Sequence, residues 1–159
     1  MLYSEKLKIF AQAHPYEAMT VRSADFRNVM YGKEGGHTLV FLNGGMNTME
    51  MWMDYAESFS RDCRVLLFDY PQKLRTNQEL AAGMHAFFEK LGIDLPVFIG
   101  ASDGGMVAQI YVQKYPDNID GMVLISTGGM DESTLKTLKR KYRFAPLMLW
   151  YMKHCNTKS

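Results

Sequence analysis

The sequence predicts an α/β fold, a mostly parallel sheet with helices on both faces. Three observations carry this. Short, continuous apolar runs at 38–42, 64–69, 96–101 and 121–126 read as strands buried on both sides, as parallel strands are. Helical patterns fall between these runs, and regular strand–helix alternation is what crossover connections require. The run Val97-Phe98-Ile99-Gly100-Ala101-Ser102-Asp103-Gly104-Gly105-Met106-Val107-Ala108 passes from an apolar strand through Gly-x-Ser-x-Gly straight into a helical pattern.

The elements follow in order. Residues 4–13 read as a short helix ended near Pro15. Residues 17–22 and 26–31 read as two strands around Ser23-Ala24-Asp25, a hairpin. The strand at 38–42 is stopped by Asn43-Gly44-Gly45. A helix is expected over 48–60, with Trp52, Ala56 and Phe59 on one face, before the strand at 64–69. Leu80, Met84, Phe87, Phe88 and Leu91 recur at i, i+4, i+7, i+8 and i+11, a helical stripe, and Gly92 is placed to cap its end. The strand at 96–101 leads to a helix over 103–115 that turns Met106, Val107, Ile110 and Tyr111 inward and is stopped by Pro116. Residues 121–126 form one more strand.

Composition bounds the function. A chain of 159 residues suits one core and is short for two ordinary domains. With 47% apolar and 22% charged residues, disorder is not expected. A net charge of +1 gives no electrostatic case for nucleic acid. Cys63 and Cys155 stand alone, so neither a disulfide framework nor a zinc site is expected, and a reducing cytoplasm is the default. The start, Met1-Leu2-Tyr3-Ser4-Glu5-Lys6-Leu7-Lys8, has charges where a signal peptide needs its apolar run, and no apolar stretch approaches the ~18 residues of a spanning helix.

The Gly-x-Ser-x-Gly turn carries the chemistry. A sharp strand-to-helix turn leaves no room for side chains beside its central residue. Gly100 and Gly104 supply that room, and Ser102 is pushed out above the sheet, near free N–H groups of the following helix that favour developing negative charge. The plainer alternatives are a packing turn or a phosphate-binding turn. For nucleotide binding, Gly100-x-x-x-Gly104-Gly105 lacks both the Gly-x-Gly-x-x-Gly spacing and the Walker Lys-Ser/Thr.

Over residues 8–150 the chain resembles the α/β-hydrolase fold superfamily, and within it looks most similar to the maspardin-like group. The cues are Phe10-Ala11-Gln12-Ala13-His14-Pro15, the Gly44-Gly45 pair, Phe68-Asp69-Tyr70-Pro71, Gly100-Ala101-Ser102 and Leu124-Ile125-Ser126-Thr127-Gly128-Gly129. The resemblance implies a serine hydrolase acting through Ser102 on a small ester or similar acyl substrate, with no metal or organic cofactor. It implies an oxyanion hole of two backbone N–H groups, from Asp103 and from Gly45, with Met46 as second choice. Many relatives have His-Gly where this chain has Asn43-Gly44. The Asp103 side chain is expected to point away from the acyl group and cap its helix.

A serine nucleophile also needs a base and an orienting acid, and the resemblance places these in the order Ser, acid, His. His14, His37 and His85 precede Ser102 and are expected on the surface. Only His154 follows it, and Asp131 follows the sixth strand, so these two are the candidate base and acid. The pattern breaks off before the acid and histidine strands of the family. The expectation is therefore the N-terminal part of a hydrolase core (1–130) and the start of a cap or lid (131–159), with the triad completed outside this chain. Residues 133–143 are basic and 144–152 apolar, which reads as a lid in preference to a membrane-surface helix. The methionines at 46–53 suit either a pocket for varied apolar groups or an ordinary core. The sixth strand is expected to present an open edge that permits self-association. The other reading from the resemblance is a non-catalytic, maspardin-like interaction or adaptor protein.

Overall fold

The structure, a computed structural model, describes residues 2–45, 47–129 and 136. The chain divides into two units, Met1–Gly128 and Gly129–Ser159, and the architecture below is that of the first. The cap expectations, and with them Asp131 and His154, lie outside the described residues, as does Met46.

Helix α1 (Tyr3–Ala13) precedes a hairpin of β1 (Glu17–Val21) and β2 (Ala24–Gly32). The hairpin loop has only two residues, Arg22 and Ser23, both at positive φ (49° and 65°). This is the tight turn that matches strand twist. It lacks the usual Asn-Gly signal, so the sequence places the second strand two residues late. β3 (Thr38–Leu42) is followed by a 3-10 turn (Met49–Trp52) and α2 (Met53–Phe59), then β4 (Arg64–Phe68), α3 (Asn77–Leu91), β5 (Val97–Ala101), α4 (Asp103–Lys114) and β6 (Gly121–Ile125).

The six strands form one sheet in the order β1-β2-β4-β3-β5-β6, antiparallel across β1/β2 and β2/β4 and parallel across the rest. Side chains alternate across the sheet. Leu39, Phe41, Val65, Leu67 and Ile99 meet Phe10 of α1 and Trp52, Met53 and Ala56 around α2. The other face is aromatic: Phe26 stacks on Phe87 at 4.4 Å, and Phe98 meets Tyr111 edge-on at 4.9 Å. Helices thus cover both faces, as the apolar runs require. Met49 and Met53 are buried here, which assigns them to the core. Trp52 and Phe59 both meet Phe41, on one face as expected, with Phe59 44% exposed at the end of α2; Met106, expected to face inward, is half-buried.

Helix α3 starts where its sequence says it should. The Thr76 hydroxyl accepts from the Glu79 amide, and Glu79 accepts back from the Thr76 amide. Gly92 ends the helix in the left-handed conformation (φ 64°). Thr76→Ala is expected to cost about 1 kcal/mol, read by urea denaturation.

β6 pairs with β5 alone among the described strands, and Met122, Val123, Leu124 and Ile125 are each 40–50% exposed. The register aligns Leu42 with Gly100 and Ala101 with Ile125, so β3, β5 and β6 end side by side. The chain leaves β3 towards β4 on one side and returns to β5 on the other. The loops after β3 and β5 therefore diverge at a topological switch point, the place where open α/β sheets form their binding crevice.

Candidate active site

Ser102 sits between the last residue of β5 and the first of α4 with φ 51° and ψ −115°. That conformation is sparsely populated for an L-residue and persists only where the surroundings enforce it. The enforcement is visible. A Cβ on Gly104 would lie 2.3 Å from the Leu42 carbonyl oxygen and 2.7 Å from that of Asn43. A Cβ on Gly100 would lie 2.8 Å from the Gly104 backbone. The two glycines therefore let α4 start against the ends of β3 and β5, and Ser102 is the exposed residue at the apex.

The loop after β3 meets the same apex. A Cβ on Gly44 would lie 3.1 Å from the Ala101 carbonyl oxygen and 3.3 Å from Ser102 Cβ. A side chain here would crowd the serine, so glycine lets this backbone lie close to it. Gly45, next along, has φ 47°. The loop is held at its start by Asn43, a buried residue whose Nδ2 donates to the Phe68 carbonyl (2.9 Å) and whose carbonyl accepts from the Tyr70 hydroxyl (2.9 Å). Burial, with Asp103 nearby, pushes the Tyr70 phenol well above its ordinary value, so it stays a donor.

The far end of the loop is held by a charge cluster. The Asp69 carboxylate accepts from the Met49 amide at 2.8 Å, and Arg27 donates to both Asp69 and Glu50. Tyr16 lies under the Arg27 guanidinium, 4.1 Å from it, and burial together with Glu50 pushes its phenol up to about 12. Burial raises the Glu50 carboxyl, but the Thr48 hydroxyl, its own amide and Arg27 outweigh that, and it titrates below its ordinary 4.5. A depressed carboxylate contributes stability that is present above its unfolded pKa and lost as pH falls through the lower folded value. Unfolding free energy should therefore decline with acid below about 4.5, the unfolded reference. Arg27→Met should flatten part of that decline, as checked by denaturation at a series of pH values.

Asp103 departs from expectation. Its Oδ1 accepts from Asn77 Nδ2 of α3 at 3.3 Å, so the carboxylate reaches a neighbouring helix instead of capping its own. The N–H of Asp103 opens α4 and has no partner within the helix. Two of the three histidines also differ. His14 stacks on Tyr31 at 3.8 Å and pairs with Glu57 at 2.6 Å. His85 stacks on Tyr115 at 3.9 Å and lies 3.1 Å from the Tyr111 hydroxyl. Both side chains are half-buried, about one-fifth exposed (19% and 20%), where open surface was expected. The aromatic partners outside the apolar stripes draw them in. His37 is exposed and faces Asp120 at 3.1 Å. All three are engaged with partners other than Ser102.

Several residues of this region had no role in the sequence reading. Asp69, Tyr70 and Thr127 stood only as parts of family-like strings, and Arg27, Glu50 and Asn77 carried no signal. Their contacts join positions 20 to 42 residues apart, which no local pattern encodes.

A family profile described as alpha/beta hydrolase fold matches residues 37–154. Monoacylglycerol lipase abhd6-A of Xenopus laevis is 24% identical over 142 residues, covering 76% of this chain and 42% of that protein. Proline iminopeptidase of Arabidopsis thaliana is 26% identical over 135 residues, covering 77% of this chain and 36% of that protein. Among solved structures, naproxen esterase of Bacillus subtilis superposes with a TM-score of 0.68 at 20% identity, over 79% of this chain and 48% of that one. The epoxide hydrolase VrEH1 of Vigna radiata gives 0.72 at 17% identity, over 84% of this chain and 47% of that one. The chain spans less than half the length of these curated relatives and about half that of the solved structures.

Proposed function

This chain belongs to the alpha/beta hydrolase fold family, and on that premise we propose that it carries the nucleophile and oxyanion hole of a serine hydrolase acting on a small ester or related acyl substrate. The strained, exposed Ser102 at the end of β5, with Gly44 packed against its Cβ, is the observation that carries this reading. Ser102 Oγ attacks the acyl carbonyl, and its proton passes to a base. The oxyanion is met by the N–H groups of Asp103 and Gly45, each such donor being worth about 3 kcal/mol in the transition state. Collapse of the tetrahedral intermediate expels the alcohol, and water then releases the acid from the acyl-serine. No step calls for a metal or organic cofactor.

The base is the open part of the constellation. His14, His37 and His85 are engaged elsewhere, and His154 and Asp131 remain the proposed candidates within this chain. Serine without a base is a weak nucleophile. The 159 residues are therefore expected to hydrolyse p-nitrophenyl acetate or butyrate negligibly and to react only slowly with a fluorophosphonate. Robust turnover that is lost in Ser102→Ala would show that a base is present, and His154→Ala would then test the first candidate.

The kinship to the maspardin-like group, a cytoplasmic location and self-association through β6 are further parts of the proposal. The last rests on the exposed apolar side chains of β6, which among the described strands pairs with β5 alone. Val123→Lys is expected to shift the sedimentation profile towards monomer. An unchanged profile would contradict association through this edge. Among the described residues, no helix is long and apolar enough to cross a membrane.

A further inference from the structure

Both peptide groups of Ser102 are tied to the exit of β6. Its N–H donates to the Ile125 carbonyl at 2.9 Å, which simply continues the β5/β6 ladder. Its carbonyl is different. It accepts from the Thr127 hydroxyl at 2.6 Å, a shorter contact than those from the Gly105 amide (3.1 Å) and the Met106 amide (3.4 Å) of the first helical turn.

The chain goes to some trouble to place that hydroxyl. Ser126, directly after β6, adopts φ 47°, a second non-glycine residue in the left-handed region beside Ser102. The turn brings Thr127 back over α4, where a Cβ on Gly105 would lie 2.6 Å from Thr127 Cβ and 2.7 Å from its Oγ1. Gln109 Nε2 then donates to both the Gly128 carbonyl (2.9 Å) and the Gly105 carbonyl (3.1 Å), fixing the turn against the helix.

The consequence lies in the planarity of the peptide unit. The carbonyl of Ser102 and the N–H of Asp103 belong to one planar trans peptide and point in opposite directions. A group that grips the carbonyl sets the aim of the N–H. We infer that Thr127 is a positioning residue, whose hydroxyl holds the Ser102 carbonyl and so aims the Asp103 N–H at the acyl oxygen. The inference deepens the hydrolase reading and rests on it for the role of that N–H.

The test compares Thr127→Val, which keeps the shape and removes the donor, with Thr127→Ser, which keeps the donor. One readout is the rate of phosphonylation of Ser102 by a fluorophosphonate, followed by intact mass. Thr127→Val is expected to slow it by about tenfold or more, a fraction of the ~10²–10³ lost when an oxyanion donor is removed outright. Thr127→Ser should stay within about threefold of the parent, the donor being kept. Equal losses in the two variants would assign Thr127 to packing over Gly105 and overturn the inference. The second readout is the crystal structure of Thr127→Val, in which the Ser102–Asp103 peptide should rotate; an unmoved peptide overturns the inference whatever the rates. If the parent forms no Ser102 adduct, the hydrolase reading fails and the rotation alone decides the positioning claim. Should Thr127→Val not fold, Thr127→Ala takes its place in both comparisons.

Discussion

Gly104→Ala is expected to destabilise the protein by about 3 kcal/mol or more, at the top of the range for overpacking. The new methyl group would sit 2.3 Å from the Leu42 carbonyl oxygen, 2.6 Å from its carbon and 2.7 Å from the Asn43 oxygen. All three are backbone atoms, so no side chain can swing aside. Either α4 must lift from the sheet or the loop after β3 must move. Asn43 is fastened to Phe68 and Tyr70, which makes the second route costly as well. The expected result is a large drop in the urea midpoint and loss of Ser102 reactivity together. Gly121→Ala is the control, since nothing lies within 4 Å of its Cβ position, and it should shift stability by less than about 1 kcal/mol.

Ser102→Gly is expected to abolish acylation completely and yet leave the fold at least as stable. A residue held at φ 51° and ψ −115° carries strain of order 1–3 kcal/mol, which glycine does not. Glycine returns roughly 0.5–1 kcal/mol of that through its freer unfolded chain, so a net gain of about 1 kcal/mol is expected. Ser102→Ala removes the same hydroxyl but keeps Cβ, and with it the strain. It should match the parent in stability to within about 0.5 kcal/mol. Denaturation of the pair isolates the conformational cost at this position from the chemistry it permits. If the Gly variant is less stable than the Ala variant by the full entropic cost of glycine, roughly 0.5–1 kcal/mol, the backbone at 102 stores no strain.

The parts legible in the sequence are those written in local pattern. Continuous apolar runs marked β3 to β6, the stripe from Leu80 to Leu91 marked α3, and glycines two residues either side of Ser102 marked a turn with no room beside it. What stayed hidden depends on partners far along the chain. His85 lies off the apolar stripe of α3, and only Tyr111 and Tyr115 of α4 draw it in. Asp103 reads as a cap until Asn77 of α3 offers a donor. Arg22-Ser23 is an unremarkable dipeptide that takes a left-handed turn because the register Val21 to Ala24 demands it. Thr127 stands only within a family-like string that gives it no role, and its hydroxyl matters because β6 ends beside β5.

The central claim is that Ser102 is the acyl-accepting nucleophile of this fold. The most direct measurement is exhaustive reaction with a fluorophosphonate at high concentration, followed by peptide mapping of every modified residue. A slowly formed, single adduct on Ser102, absent in Ser102→Ala, is the result the proposal predicts. Modification spread over other serines, with Ser102 untouched or the pattern unaltered in Ser102→Ala, would contradict the claim.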